Sequence, residues 1–165
     1  MKRLLLIFTL IILSFPSEGK AQASASFTAS VIIIQPIGIT NTANMNFANL
    51  DAKSGGKVIL NPDNSQISQD GVELTDGNTV SAATFEVTGQ AGYTYSITLP
   101  NSDYVLSNGT DNIIIRDFTS SLKNENYLAL GSQTLRVGAS LDINPNQPPG
   151  NYTSLGGFNI TVNYN

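Results

Sequence analysis

The sequence predicts an all-β domain, an antiparallel two-sheet β-sandwich with immunoglobulin-like Greek-key connections and about seven to nine strands, with a barrel or jelly roll as the alternative, preceded by a signal-peptide helix. Three observations lead there. Apolar residues return at every second position in run after run, as at Leu135, Val137, Ala139, Leu141 and Ile143, which is the period of a strand with one buried face. Gly, Pro, Asn and Asp punctuate these runs at intervals of about 8 to 12 residues, the spacing of turns in a sandwich. Outside the first residues, almost no stretch has the helical period of about 3.6 residues.

The first residues are a different kind of segment. Lys2 and Arg3 precede an apolar run from Leu4 to Phe15, and Ala21, Gln22 and Ala23 form an A-x-A pattern. This is the layout of a secretory signal peptide, so residues 1–23 are expected to be the leader and residues 24–165 a single domain. The apolar run is shorter than the roughly 20 residues needed to span a bilayer. No stable membrane insertion is therefore expected after cleavage, and the exported chain is expected in the periplasm, at the cell surface or outside the cell. The chain has no cysteine, which excludes a lipid anchor on a processed Cys and leaves packing and sheet hydrogen bonds to supply the stability.

Removing residues 1–23 takes Lys2, Arg3, Lys20 and Glu18 with it. The 8 basic and 12 acidic side chains become 5 and 11, a formal charge of −6. Such a surface repels nucleic acid, and no Lys/Arg cluster offsets it locally.

The elements follow in order. Phe27, Ala29, Val31 and Ile33 alternate before Pro36 and read as a first strand. Ile37 and Ile39 alternate in the next segment, with Met45, Phe47 and Leu50 pointing inward. A short strand at Lys57–Leu60 runs into the turn Asn61-Pro62-Asp63-Asn64. The polar stretch from Ile67 to Asn78 carries the turn signals Asp70-Gly71 and Asp76-Gly77, with one short edge strand around Val72–Leu74. Phe85 and Val87, then Tyr93, Tyr95, Ile97 and Leu99, alternate on either side of Gly89–Gly92 and read as a hairpin. Ile113, Ile114 and Ile115 leave no polar face and suggest a central strand. After the strand around Leu135–Ile143 comes a Pro-Gly turn, and Phe158, Ile160, Val162 and Tyr164 alternate in a closing strand.

Catalysis is constrained by residue types. With no His and no Cys, the chain cannot build a Ser-His-Asp triad, a Cys-His pair or a histidine metal site. A carboxylate pair of the glycosidase kind remains, but most of Asp51, Asp63, Asp70, Glu73, Asp76, Asp103, Asp111, Asp117, Glu125 and Asp142 lie beside turn residues, where short carboxylates cap loops. Glu86, between Phe85 and Val87, should face outward. The acidic stretch from Asn61 to Asn78 lacks the spacing of a calcium loop. No catalytic residue, metal site or cofactor is expected. Phe85, Tyr93, Tyr95 and Phe158 fall on inward phases, which leaves Tyr104 and Tyr127 as the aromatics to consider for a ligand.

Four motifs occur in a definite order: I-x-I-T followed by M-x-F from Ile37 to Phe47, F-x-V-x-G then Y-x-Y-x-I-x-L-P from Phe85 to Pro100, L-x-V-G-x-x-L from Leu135 to Leu141, and P-x-G-x-Y before the closing strand. In this order they resemble the secreted bacterial domain-of-unknown-function family 4402 and, more distantly, the spore-coat-U-like pilin domains of chaperone-usher fimbriae. The resemblance covers nearly all of the chain after the leader. It implies an immunoglobulin-like fold and an envelope or surface location, and it brings no catalytic residues.

In those pilins a closing strand with a penultimate aromatic borders a groove that a neighbour's extension fills by β-strand addition. Phe158, Ile160, Val162 and Tyr164 look like that strand, and Phe27, Ala29, Val31 and Ile33 are the N-terminal strand partner such a scheme would use. Reading Phe27–Ile34 as the domain's own first strand, and the missing pilin disulfide, weigh against it. The first expectation is thus a self-complete, non-catalytic structural or surface module of a bacterial envelope. The alternatives are a fimbria-like subunit that pairs with itself or with other envelope proteins through edge strands, and a carbohydrate- or ligand-binding adhesin domain.

Overall fold

The structure, a computed structural model, describes residues 19–75, 79–123 and 126–165. The run Leu4–Phe15 expected to form the leader helix, the Asp76-Gly77 turn signal and Glu125 lie outside the described residues. Two compact units are distinguished, residues 1–33 and residues 34–165. In the first, the described residues form no strand, and Phe27, Val31 and Ile33 are 92%, 83% and 90% exposed. The segment expected as the first strand is therefore not one: its alternation gives it the capacity to pair, but none of its backbone joins a ladder.

All regular structure among the described residues is strand and belongs to the second unit. The strands are β1 (Gly38–Ala43), β2 (Leu50–Asp51), β3 (Gly56–Leu60), β4 (Gln66–Asp70), β5 (Glu73–Leu74), β6 (Ala83–Thr88) and β7 (Tyr93–Thr98). They continue with β8 (Tyr104–Ser107), β9 (Asn112–Ser120), β10 (Tyr127–Leu128), β11 (Ser132–Ile143), β12 (Thr153–Ser154) and β13 (Thr161–Tyr164). Thirteen exceeds the expected seven to nine because four of them are two-residue ladders, too short to carry an alternating pattern.

Every pairing is antiparallel. An eight-stranded sheet runs β1-β6-β11-β9-β8-β12, with β3 also paired to β11 and β4 to β3. A three-stranded sheet runs β10-β7-β13, and β2 pairs with β5. The long strand β11 organises the larger sheet. Its first half, from Ser132 to Val137, lies against β6, its second half, from Ala139 to Ile143, lies against β3, and its other edge takes β9. Leu135, Val137, Ala139, Leu141 and Ile143 are all buried, as their alternation predicts. Gly138 and Ser140 are buried too, because β3 and β9 close over that part of the strand.

The expected hairpin of β6 and β7 does not form. Both edges of β6 are taken, by β1 and β11, while β7 belongs to the smaller sheet. The chain crosses between sheets at Gly89–Gly92, held by Gly89 N–H to Gly131 O at 2.9 Å and Gly92 N–H to Leu128 O at 2.7 Å. Val87 on β6 and Tyr95 on β7 pack into one core from the two sheets. Alternation reports that each strand has a buried face and says nothing of whether the two lie side by side or face to face.

A second difference is β4, where only a polar stretch was read. Its five residues pair in full with β3, and as an edge strand it has little apolar surface to bury, Ile67 being half exposed. The expected turn at Asn61–Asn64 does join β3 to β4. Asp63 accepts from both the N–H and the hydroxyl of Ser65, which holds its carboxyl below the usual range, and Asn64 takes the left-handed conformation with φ 69°.

The core has two clusters. One contains Val87, Tyr95, Leu128, Leu135, Val137 and Val162, where the two larger sheets meet. The other contains Val58, Val72, Ile113, Ile115, Ala139, Leu141 and Ile143, and the partly buried residues that pack on it include Met45, Phe47, Tyr152 and Phe158, all outside the strands. Each Val, Leu or Ile fully withdrawn from water contributes about 1.5 to 3 kcal/mol before the entropy of ordering is set against it.

Two substitutions test this packing. A Cβ on Gly138 would lie 2.1 Å from the Leu60 carbonyl oxygen, a backbone atom. Gly138→Ala is expected to destabilise by about 1 to 3 kcal/mol, read as a lower midpoint in denaturant. The Tyr95 hydroxyl donates to Gln133 Oε1 at 2.7 Å, and burial raises its pKa above 10.0. The neutral phenol is the form the fold favours, so its contribution is intact below pH 10 and is lost as pH rises further. Tyr95→Phe is expected to cost about 1 kcal/mol at neutral pH and to lessen the alkaline loss of stability in a pH series of melts.

Candidate functional site

Over the second core cluster, among residues 34–165, the cover is mostly irregular chain broken by the two-residue ladders β2 and β12, and it leaves an open groove of about 1420 Å³. Ile113 and Ile115 of β9 and Leu141 and Ile143 of β11 line its floor. Two stretches of chain border it, Asn44–Lys53 and Gln147–Ile160.

Neither border is a continuous ladder. β1 ends in a register shift between Asn41 and Ala43, and after it Asn46 makes a single bridge to Ser81. Ala48 and Lys53 then take positive φ values of 57° and 38°, which break the extended path. On the other side, the closing strand is divided. Thr161–Tyr164 pair residue by residue with Thr98–Tyr95, whereas Gly157–Ile160 belong to no strand, and Gly157, Phe158 and Ile160 line the groove. The four sequence-predicted residues thus split in two: Val162 is buried in the first core cluster, while Phe158 and Ile160 sit half-buried at the groove.

Phe158 is fixed by aromatic neighbours. Its ring lies edge-on to Tyr104, with centroids 5.2 Å apart, and is tilted against Phe118 at 5.3 Å; Tyr104 and Phe118 are themselves perpendicular at 5.9 Å. Such pairs contribute about 0.5 to 1.5 kcal/mol each beyond their buried area. Tyr104, considered from sequence for a ligand, is therefore part of the packing under the groove. Tyr127, the other candidate, is about half exposed on β10.

Electrically the groove is nearly neutral. Asp51 and Lys53 are the charged residues that line it, and much of the remaining polar lining is amide, including Asn41, Asn44, Asn46, Asn49 and Asn146. The described carboxylates that carry a partner are elsewhere or already engaged. Asp142 pairs with Arg116, Asp117 with Lys57 at 3.0 Å, and Glu73 with Lys53, whose ammonium it holds above the usual lysine range. Glu86 faces outward, as read from its strand phase. Among the described residues, no three acidic side chains gather as a metal would require.

At its far end the closing strand is anchored by Tyr164. Its ring packs against Tyr93 with centroids 5.6 Å apart, and its hydroxyl accepts from Gln90 N–H at 2.6 Å and donates to the Gln35 carbonyl at 2.7 Å. Tyr93, expected to point inward, is 40% exposed and belongs to neither core cluster. The penultimate aromatic was legible in sequence. Its hydroxyl partners were not, since Gln35 and Gln90 lie 129 and 74 residues away.

The apolar groove and the exposed segment Phe27–Ile33 have complementary character. No charged residue occurs from Ala21 to Leu50, and the segment presents Phe27, Val31, Ile32 and Ile33 to solvent. An uncharged, β-branched, exposed run of this kind is an element ready for edge pairing.

No curated protein and no solved structure matches the chain. One family model does, over residues 37–164, a span that contains every strand and the groove and excludes Phe27–Ile33. The family is described as "Domain of unknown function (DUF4402)", and the chain belongs to it.

Proposed function

We propose that the protein is an exported, non-catalytic structural subunit of a bacterial envelope, a β-sandwich of immunoglobulin-like plan that joins to further copies of itself by β-strand addition. The groove beside Gly157–Ile160 is the acceptor, and Phe27, Ala29, Val31 and Ile33 of a second copy are the donor strand. The observation that carries this reading is the groove itself, with an apolar floor and a border whose residues 157–160 belong to no strand ladder among the described residues. An added strand gives that backbone hydrogen bonds and covers the floor with alternate side chains.

The fimbria-like alternative gains over the self-complete module because one of the two objections to it, that Phe27–Ile34 is the domain's own first strand, falls, while the missing disulfide stands. The first strand is β1, beginning at Gly38, so the earlier segment is available as a donor. The lining holds one carboxylate and one ammonium, Asp51 and Lys53, and is otherwise uncharged, which suits a donor that carries no charge.

The test uses the chain from Ser24 to Asn165. Oligomers that grow with concentration are expected in sizing and light scattering. The variant V31D/I33D is expected to stay monomeric while still binding a synthetic peptide of residues 24–35, with a saturable thermal shift of several degrees. A wild-type chain that remains monomeric at all concentrations, with no peptide binding by the variant, would return the protein to a self-complete module. A saturable shift with a glycan panel and none with peptide would favour the adhesin reading.

A further inference from the structure

Gln35 sits where the 27–33 segment gives way to the domain, and both of its backbone polar groups are engaged although the residue is exposed. Its N–H donates to Gln90 Oε1 at 3.1 Å, and its carbonyl accepts from the Tyr164 hydroxyl at 2.7 Å. That hydroxyl in turn accepts from the Gln90 N–H at 2.6 Å. Three residues from remote parts of the chain thus close a small ring of hydrogen bonds. Pro36 follows directly and disfavours the helical region for Gln35.

The ring has a dedicated space. Gly89 is buried, and a Cβ placed there would lie 2.3 Å from the Tyr164 hydroxyl oxygen, so any larger residue would displace it. The Tyr164 ring is held independently by Tyr93 and by the backbone pairing of Tyr164 with Tyr95. The hydroxyl, rather than the ring, makes the connection to Gln35.

Tyr164 also ends β13, four residues beyond Ile160, and β13 continues directly from the groove border. The part of that segment at the groove, Gly157–Ile160, has no ladder partner and is held by the packing of Phe158 and Ile160. A strand added there would fix its backbone, and the constraint passes into β13, from Thr161 to Tyr164, and through the Tyr164 hydroxyl to Gln35.

We propose that the Tyr164 hydroxyl is a latch that couples the two ends of the assembly device, so that filling the groove of one molecule tightens the root of its own 27–33 segment for the next addition. This rests on the strand-addition reading. Its consequence is that growth is cooperative: a molecule with an occupied groove offers a better-ordered donor than a free one. By linkage, a latch that senses the groove must also change the affinity of the groove for a donor. Because the hydrogen bonds to Gln35 are at the surface, their loss is expected to leave the fold intact.

The experiment uses the V31D/I33D chain, whose own segment cannot compete, with and without the 24–35 peptide, and follows amide exchange at Gln35 and Gln90 together with peptide affinity. Saturating peptide is expected to slow exchange at both amides at least fivefold. Adding Y164F is expected to abolish that slowing and to weaken peptide binding severalfold without preventing it. Gln90→Ala removes the acceptor of the Gln35 N–H but leaves Tyr164 and the backbone N–H of residue 90 in place, so peptide is still expected to slow exchange at the residue-90 amide, and the absence of slowing there overturns the latch even if Y164F does not fold. Peptide binding with no change in exchange at either amide, or with the same change in Y164F, overturns the latch alone. Absence of any peptide binding overturns the strand-addition reading, and the latch with it.

Discussion

The structure depends on how β11 is shared. A single strand of 12 residues pairs with β6 along its first half, β3 along its second and β9 on its other edge, so three separate parts of the chain are registered against one template. Its alternate residues are all buried, and a slip by one position would carry Leu135, Val137, Leu141 and Ile143 to the opposite face. This burial of one face over two core clusters is what sets the register of the larger sheet.

The cover over that face is uneven. Where the smaller sheet lies, Tyr95 and Val162 complete a closed cluster with Val87 and Leu135. Farther along β11, the cover is made by Met45, Phe47, Tyr152 and Phe158 from irregular chain, and irregular chain cannot present side chains at the regular spacing that closes a sheet face. The groove is therefore a consequence of topology rather than of a local defect. The division of the closing strand follows from the same cause: Thr161–Tyr164 have β7 beside them, and Gly157–Ile160 do not.

Much of the fold was legible because burial on one face of a strand leaves a two-residue period in the sequence. The all-β class and β11 were read this way, β9 from three consecutive isoleucines that leave no polar face, and the β3–β4 turn from the residues Asn61–Asn64. What alternation does not encode is the identity of the neighbour. Phe85–Val87 and Tyr93–Tyr95 looked like a hairpin, but their strands lie in different sheets, with Val87 and Tyr95 packed into one core cluster, and Phe27–Ile33 looked like a strand and has no ladder. β4 was missed for the converse reason, since Gln66, Ser68 and Gln69 earn their place by backbone pairing at an edge. Of the candidate site, Phe158, Ile160 and Tyr164 were visible as an alternating run. The groove was not, because its floor and borders come from residues up to about a hundred positions apart, and neither was the Tyr164 hydroxyl network, which needs the space that Gly89 leaves.

The central claim is that the backbone at the groove border waits for a partner. Native-state amide exchange on the monomeric V31D/I33D chain measures this most directly, by comparing Phe158–Ile160 with Leu135–Ile143. The account predicts that the first group exchanges through local opening, orders of magnitude faster than the second, which exchanges only with global unfolding. Equal protection of the two groups in the unassembled monomer would mean that the border is already paired at home, and would contradict the account.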